Sequence, residues 1–141
     1  MGAKHHLIVD AHGLPLAWSA SAGNRHDITQ LMPLLERIPA VAGRAGAPRQ
    51  RPAMIIADRG YDYDKYRRLL RARGIRHRIA RRQTTHGSGL GQWRWVVERT
   101  FAWLHAFKRL TIRYERRGDI HAGLLGLGCC IICLRRLHTD F

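Results

Sequence analysis

The chain has 141 residues, 45% of them hydrophobic, which is enough to bury one ordinary core. Its 25 lysines and arginines outnumber its 10 acids, giving a net charge of +15. The sequence shows no apolar run near the ~20 residues that cross a bilayer, no secretory leader, and only three cysteines, too few for a disulfide scaffold. We therefore interpret residues 1–141 as a single cytoplasmic domain.

The positive charge is concentrated in residues 65–117, which hold 16 lysines and arginines and two acids, Glu98 and Glu115. Residues 1–64 are nearly balanced, with seven basic and six acidic side chains. A dense basic segment attracts polyanions, and arginine holds phosphate in a bidentate manner. DNA is the partner this pattern favours. A membrane surface is the other anionic partner to consider, and no basic amphipathic helix stands apart to support it.

The first half of the chain predicts two strands, a helix and a loop. Residues 6–10 and 15–19 read as an antiparallel hairpin, because turn-forming residues separate them. Asp27 is predicted to cap the following helix, which should start late or kink at Pro33. Residues 39–52 hold three prolines and two glycines and predict a basic surface loop.

The middle of the chain alternates strands and a helix. Residues 53–57 are short and apolar, which predicts a strand buried on both faces. A helix over 63–73 should stop at Gly74, and a strand with alternating apolar residues should follow over 75–80. The polar, glycine-rich segment 81–92 predicts a mobile loop.

The last part of the chain predicts a strong helix over 92–108 and a final helix capped by Asp119. We interpret Cys129, Cys130 and Cys133 of that final helix as structural core residues. Its predicted apolar stripe consists of Ile120, Leu124, Leu127, Ile131 and Leu134. The order β-β-α-β-α-β-α-α predicts an α/β fold with a mixed sheet flanked by helices.

Asp58 is the first candidate for chemistry. It ends the apolar run of strand 53–57 and is followed at once by an arginine and a glycine. Ligands of open α/β sheets bind beyond the carboxyl ends of the strands, where a carboxylate could hold a metal ion. The alternative is that Asp58 caps a turn or pairs with a nearby arginine.

Glu98 is the second candidate, because it is a rare acid within the basic segment. On a helix it shares a face with Arg94, Phe101, Ala102 and His105, so the sequence predicts a partly buried carboxylate. A buried carboxylate needs compensation, which a cation shared with Asp58 would supply. The alternative is a surface salt bridge to Arg94.

The segment "ADRGYD" around Asp58 is followed, forty positions after that aspartate, by Glu98 in "WVVERTFAWLHAFKRL". Together these motifs resemble the catalytic domain of bacterial insertion-sequence transposases of the DDE type. The resemblance extends over almost the whole chain and implies a ribonuclease H-like fold. Asp58 then matches the second catalytic acid and Glu98 the third, and Arg94 matches the family's arginine four positions earlier.

The sequence departs from the family pattern at three places. His105 replaces a lysine, and Gly91 replaces a tyrosine. The first acid belongs to a strand that should precede the hairpin, whereas Asp10 matches the hairpin turn. The chain thus resembles the C-terminal part of a transposase that lacks its first strand, as a decayed element or as one of two reading frames. Asp10 or Asp62 could replace the first acid, although Asp62 is more readily a helix cap.

The resemblance implies Mg²⁺ or Mn²⁺ as cofactor, with Asp58 and Glu98 as metal ligands. It also implies DNA as substrate, an N-terminal polypeptide that supplies the first acid, and a possible homodimer. We expect this chain alone to bind DNA without joining strands. A non-catalytic DNA-binding remnant and a metal-dependent nuclease of the same fold are the alternatives. The expected DNA contacts are Arg76, Arg78, Arg81, Arg82, Arg94 and His105.

The sequence does not decide the role of two further groups of side chains, the N-terminal histidines and two tryptophans. His5, His6 and His12 have no spaced acids beside them, so we expect them at the surface. Trp93 and Trp95 follow the predicted loop and could stack on bases, although aromatic residues at helical spacing are more often core.

Overall fold

The computed structural model describes residues 2–83 and 89–139. The chain forms two compact units, which we name by their residues. Unit 1 comprises residues 1–37 and 96–141, and unit 2 comprises residues 38–95. The prediction of a single domain stays a prediction.

Unit 1 is built on a β-hairpin. Strands β1 (Ala3–Val9) and β2 (Pro15–Ala22) pair antiparallel, as the sequence predicts. The carboxylate of Asp10 forms the turn, because its Oδ1 accepts hydrogen bonds from the backbone N–H groups of His12 and Leu14 at 2.8 and 2.9 Å. Asp10 therefore has a structural role in the described turn.

The helix after the hairpin starts late, as Pro33 predicts. A 3₁₀ turn over Asp27–Gln30 precedes α1 (Leu31–Glu36), which places Pro33 in the first turn, where its missing N–H is not needed. The predicted capping role of Asp27 was wrong. Its side chain instead accepts a hydrogen bond from Lys4 Nζ at 3.1 Å.

Unit 1 is completed by two helices and by the part of a third that follows residue 95. Helix α3 (Gly91–His105) matches the predicted strong helix but ends three residues early, and α4 (Lys108–Thr111) and α5 (Gly118–Thr139) follow. Asp119 lies within the first turn of α5 and pairs with Arg117 at 2.6 Å. The core of unit 1 consists of Leu104, Leu110, Leu125, Cys129 and Ile132, against which Leu7, Trp18, Phe107 and Leu124 pack.

The predicted apolar stripe of α5 is only partly buried. Leu124 packs against the core of unit 1, whereas Ile120, Leu127 and Leu134 are exposed. Two glycines explain the choice of face. A Cβ at Gly126 would lie 2.8 Å from the Trp18 ring, and one at Gly128 would lie 3.0 Å from Leu104. The core therefore approaches α5 where side chains are absent.

Helix α5 also corrects the expectation that no segment could cross a bilayer. It is long and apolar enough to do so by length and composition, with a mean hydropathy of 1.6 over 18 residues. Core helices of soluble proteins meet the same two criteria, so α5 alone is weak support for a membrane location.

Unit 2 contains a parallel strand pair. Strands β3 (Met54–Ala57) and β4 (Arg76–Ile79) pair parallel, as predicted, and α2 (Asp64–Ala72) connects them. Gly74 has a φ of +68° just after α2, which confirms it as the stop signal. The prediction that β3 is buried on both faces was wrong, since its residues are exposed or half-buried.

The described strands form two separate two-stranded sheets, β1–β2 and β3–β4. A mixed α/β protein with small sheets and helices agrees with the predicted class, while its ribonuclease H-like arrangement stays a proposal. The segment 39–52 is irregular apart from a bridge between Val41 and Arg49, as predicted for a loop. Within the predicted loop 81–92, residues 84–88 lie outside the described part of the chain.

Candidate functional site

Asp58 is an exposed carboxylate directly after the carboxyl end of β3. It caps the 3₁₀ turn Arg59–Tyr61, where its Oδ1 accepts a hydrogen bond from the Gly60 N–H at 2.9 Å. A Cβ at Gly60 would lie 3.0 Å from the same oxygen, so the glycine lets the carboxylate fold over the turn. Asp58 therefore caps a turn, as the alternative interpretation predicts. The same hydrogen bond orients its carboxylate, which could also bind a cation.

Glu98 lies on the exposed side of α3. The buried positions of this helix are Val96, Thr100 and Leu104, spaced by four. Glu98 is two residues from Val96 and from Thr100, which puts it about 200° around the helix, on the opposite face. The predicted partly buried carboxylate was wrong, and with it the reasoning that burial requires a compensating cation.

The hairpin turn anchors the part of α3 that carries Glu98. Thr100 Oγ1 donates a hydrogen bond to the Gly13 carbonyl at 2.6 Å, and Arg99 Nη2 donates one to the His12 carbonyl at 2.6 Å. Gly13 has a φ of +86°, and a Cβ there would lie 2.9 Å from Thr100 Oγ1. Only glycine suits both constraints. Sequence reasoning missed this anchor, because the partners lie 87 residues apart.

The two acids suit Mg²⁺ or Mn²⁺ as ligands, because both are exposed carboxylates and these cations prefer oxygen donors. Asp58 belongs to unit 2 and Glu98 to unit 1. Within residues 2–83 and 89–139, no group of three or more His, Cys, Asp or Glu side chains is arranged to hold a metal ion. A complete three-acid site would need a further ligand.

Four of the predicted DNA contacts are arginines of β4 and of the segment that follows it. Arg76 and Arg78 are exposed, whereas Ile79, the last residue of β4, is buried. Arg81 forms ion pairs with Asp64 at 2.9 Å and with Asp62 at 3.5 Å. Arg76 and Arg78 are thus the more accessible pair for a phosphate.

Asp62 organises the segment around these arginines and does not cap α2, so that prediction was wrong. Its Oδ1 accepts hydrogen bonds from Arg67 at 2.7 and 3.1 Å, and its Oδ2 accepts one from the Arg82 backbone N–H at 2.9 Å. The Arg82 N–H and then the Arg67 guanidinium hold the pKa of Asp62 below its ordinary value. This half-buried carboxylate thus holds the backbone at Arg82 next to the start of α2.

Arg94 and His105 are exposed on α3, and their role as DNA contacts stays a prediction. The His105 ring is 6.1 Å from the Phe101 ring and 5.8 Å from the His5 ring, measured between centroids. Trp93 and Trp95 are 40% and 50% exposed, which leaves a stacking role open.

The expectation that the N-terminal histidines lie at the surface holds for His12 but was wrong for His6, and His5 is half-buried. His6 is buried and its Nε2 lies 2.7 Å from Ser21 Oγ. His5 Nε2 lies 2.8 Å from Nε2 of the buried His121. Burial, followed by the neighbouring His121, lowers the pKa of His5 to about 4. His5 and His121 thus link β1 to α5. The sequence did not predict this contact, because the two residues are 116 positions apart.

Comparison with known proteins decides the family. Residues 1–134 match the family model described as the transposase DDE domain. This chain belongs to the DDE transposase family. It is 57% identical over 136 residues to a putative transposase for insertion sequence element IS402 of Burkholderia cepacia, covering 96% of this chain and 64% of that protein.

The chain is also similar, at lower identity, to two further transposases, and it aligns with a different fraction of the length of each. One, for insertion sequence element IS1106 of Neisseria meningitidis serogroup B, is 29% identical over 74% of this chain and 36% of its own length. The other, a putative transposase for element IS6501 of Brucella ovis, is 28% identical over 96% of this chain and 100% of its own length. The chain thus spans less than two thirds of the first two relatives. No solved structure matches it significantly.

Proposed function

We propose that this DDE transposase chain binds insertion-sequence DNA and supplies two of the three acids that cleave and transfer its strands. The observation that carries the proposal is Asp58, an exposed carboxylate held by a turn at the carboxyl end of β3, within a chain that matches the transposase DDE domain over residues 1–134. Glu98, exposed on α3, supplies the other acid.

Asp58 and Glu98 would hold Mg²⁺ or Mn²⁺ through their carboxylate oxygens. When bound, such ions activate the attacking hydroxyl and stabilise the leaving oxygen at phosphorus. The Gly60 N–H fixes one oxygen of Asp58, and the contacts of Arg99 and Thr100 with the hairpin turn hold the helix that carries Glu98. The exposed Arg76 and Arg78 would hold the DNA backbone without reading its sequence.

The first acid of the set is proposed to come from another segment, either of the same product or of a separate polypeptide. The match to 64% of the Burkholderia cepacia relative supports this, because the remainder of that protein has no counterpart among these 141 residues. Asp10 is an unsuitable substitute, since its Oδ1 already accepts two backbone hydrogen bonds. Asp62 is unsuitable as well, because Arg67 and Arg82 occupy both of its oxygens. This chain alone is therefore expected to be inactive, and the assembled protein to act in the cytoplasm.

The test compares this chain with a fusion to the part of the Burkholderia cepacia relative that it does not cover. Both are incubated with Mg²⁺ and linear DNA that carries the sequences flanking the gene, and cleaved and joined products are resolved on gels. We expect products from the fusion only. Asp58→Asn and Glu98→Gln should each lower the rate by at least about 100-fold, more than loss of an outer-shell partner costs. Asp64→Asn is the matched control, an acid that is 75% exposed and outside the proposed set.

The outcomes separate the alternative functions. Cleavage without joining by the fusion would favour a metal-dependent nuclease. DNA binding without cleavage by either preparation would favour a non-catalytic remnant. Full activity in the Asp58→Asn or Glu98→Gln fusion would contradict the assignment of these acids.

A further inference from the structure

Two histidine rings from distant parts of the sequence meet inside unit 1. His5 lies on β1 and His121 lies on α5, and their Nε2 atoms are 2.8 Å apart. The centroids of the two rings are 5.0 Å apart. His121 is 2% exposed and His5 is half-buried, so solvent reaches the pair from the side of His5. Neither residue belongs to the proposed set of catalytic acids.

Glu115 lies on the far side of the His121 ring. Its Oε2 is 3.4 Å from Nδ1 of His121, and its Oε1 accepts a hydrogen bond from Arg109 at 3.0 Å. The carboxylate favours the tautomer of His121 that carries its proton on Nδ1, which directs the lone pair of Nε2 towards His5. Histidines that bind metal ions commonly contact a carboxylate through their second ring nitrogen in this way.

The ring of His5 is also suited to be a metal ligand. An imidazole must be neutral to bind a metal ion. Burial, followed by the neighbouring His121, lowers the pKa of His5 to about 4, so the ring is neutral at pH 7. With His121 in the tautomer described above, the Nε2–H of His5 donates the hydrogen bond between the rings. A metal ion would take the place of that proton, which would move to Nδ1 of His5.

We propose that His5 and His121 bind a Zn²⁺ ion through their Nε2 atoms, with water in the remaining positions. A tetrahedral Zn²⁺ with bonds of about 2.05 Å holds two imidazole nitrogens about 3.3 Å apart and their ring centres about 5.2 Å apart. The ring centres of His5 and His121 already have nearly this separation. A modest rotation of the two rings therefore admits the ion.

The ligand set and the charge of the chain predict a moderate affinity. Among residues 2–83 and 89–139, no third His, Cys, Asp or Glu side chain joins the pair in an arrangement that could hold a metal ion. Zinc sites in proteins usually have three or four protein ligands. The net charge of +15 also repels cations. We expect a dissociation constant on the order of micromolar.

The ion would fasten the first strand of the hairpin to α5. A link between residues 116 positions apart closes a long loop, which restricts the unfolded chain more than the folded one. An ion that binds only the folded state stabilises it increasingly as its concentration rises. The expected role is thus structural. It differs from that of Mg²⁺ at Asp58 and Glu98, because Mg²⁺ prefers oxygen ligands.

Isothermal titration calorimetry of the full chain with Zn²⁺, from about 1 to 200 µM, tests the proposal. All variants carry Cys130→Ser, because the thiol of Cys130 is exposed and thiolates also bind Zn²⁺. We expect His5→Gln to weaken binding at least about tenfold. His138→Gln is the matched control, an exposed histidine near the other end of α5, and it should leave the affinity unchanged. Excess Mg²⁺ should not compete.

A second variant separates a metal ligand from a merely structural histidine. Glu115→Gln keeps both ligands but weakens the partner of His121, so it should lower the Zn²⁺ affinity roughly 10–100-fold. In a His5→Gln background the same change should have no further effect, because the ligand set is already broken. Zn²⁺ should also raise the urea midpoint of the parent chain, but not that of His5→Gln, and a chelator should reverse the shift. Far-UV circular dichroism verifies that each variant is folded.

Three results would overturn the proposal. The absence of Zn²⁺ binding up to 200 µM would leave the pair as a hydrogen bond only. Binding that His5→Gln does not weaken, or that His138→Gln weakens equally, would assign the ion to dispersed surface histidines. An equal effect of Glu115→Gln with and without His5→Gln would place the ion elsewhere. None of these measurements involves DNA or catalysis, so the proposed function is tested separately.

Discussion

At the scale of single residues, Asp62 and Arg67 form a largely buried ion pair among the described residues of unit 2. Their side chains are 10% and 8% exposed, and Arg67 also donates a hydrogen bond to the Ile79 carbonyl at 2.8 Å. Removing one member of a buried pair leaves the other charge without compensation. This pair therefore controls how α2, β4 and the following arginines are held together.

Asp62→Ala should lower the free energy of unfolding by roughly 3–5 kcal/mol, the usual cost of breaking a buried pair. The pKa of Asp62 is lower in the folded state than its ordinary value, so its stabilisation is present above about pH 4 and is lost as the pH falls through the folded value. The free energies of unfolding of the wild type and the variant, measured by urea denaturation, should converge as the pH falls from 5 to 2. Asp64→Ala, which removes an exposed partner of Arg81, should cost less than about 1 kcal/mol. Equal effects of the two variants would contradict this account.

At the scale of elements, Gly126 determines how α5 packs against the hairpin. Gly126→Ala should destabilise the protein by roughly 1–3 kcal/mol, since the new methyl group would lie 2.8 Å from the rigid Trp18 ring. Gly123→Ala is the matched control within the same helix, because nothing lies within 4 Å of its Cβ position. The control should stabilise by up to about 1 kcal/mol through helix propensity. Thermal unfolding followed by circular dichroism measures both, and a stable Gly126→Ala variant would show that Trp18 can move.

The positions of the helices and strands can be predicted from local sequence, but the side of each element that becomes buried cannot. Turn residues predict the hairpin, and Gly74 marks the end of α2, since these signals act within a few residues. The buried face of α5 could not be predicted, because both of its sides are apolar and the choice depends on distant residues such as Trp18. The same applies to Glu98, whose exposure is set by Thr100 and its contact with the hairpin turn.

At the scale of the whole molecule, the uneven distribution of charge predicts how this chain would bind DNA. We expect non-specific affinities of roughly 10⁻⁴–10⁻⁶ M at physiological salt, falling linearly on a logarithmic plot as salt rises. The double variant Arg76→Gln/Arg78→Gln should reduce the slope by about two, since each lost phosphate contact changes it by ~0.9. Arg25→Gln, outside the basic segment, is the control. Fluorescence anisotropy with labelled duplex DNA measures both slopes, and a flat salt dependence would exclude phosphate contacts.

At this scale the candidate site was only partly predictable. The motif around Asp58 and the spacing to Glu98 locate two acids, because each is defined by its own short segment. The sequence could not indicate that Asp58 would cap a turn through Gly60, or that Asp62 would be fully engaged by Arg67 and Arg82. Those roles depend on how strand, helix and loop meet in space.

The bond between Thr100 and Gly13 also has a consequence for how the polypeptide acquires its structure. Unit 1 is discontinuous, and its halves are joined only after residues 38–95 have been synthesised between them. Contacts between such distant residues slow folding, because a long loop must close before they form. A circular permutant that joins residue 139 to residue 2 through a flexible linker long enough to run back along the ~33 Å of α5, and that opens within 42–48, would make unit 1 contiguous. It should reach the native state faster than the natural order of segments does.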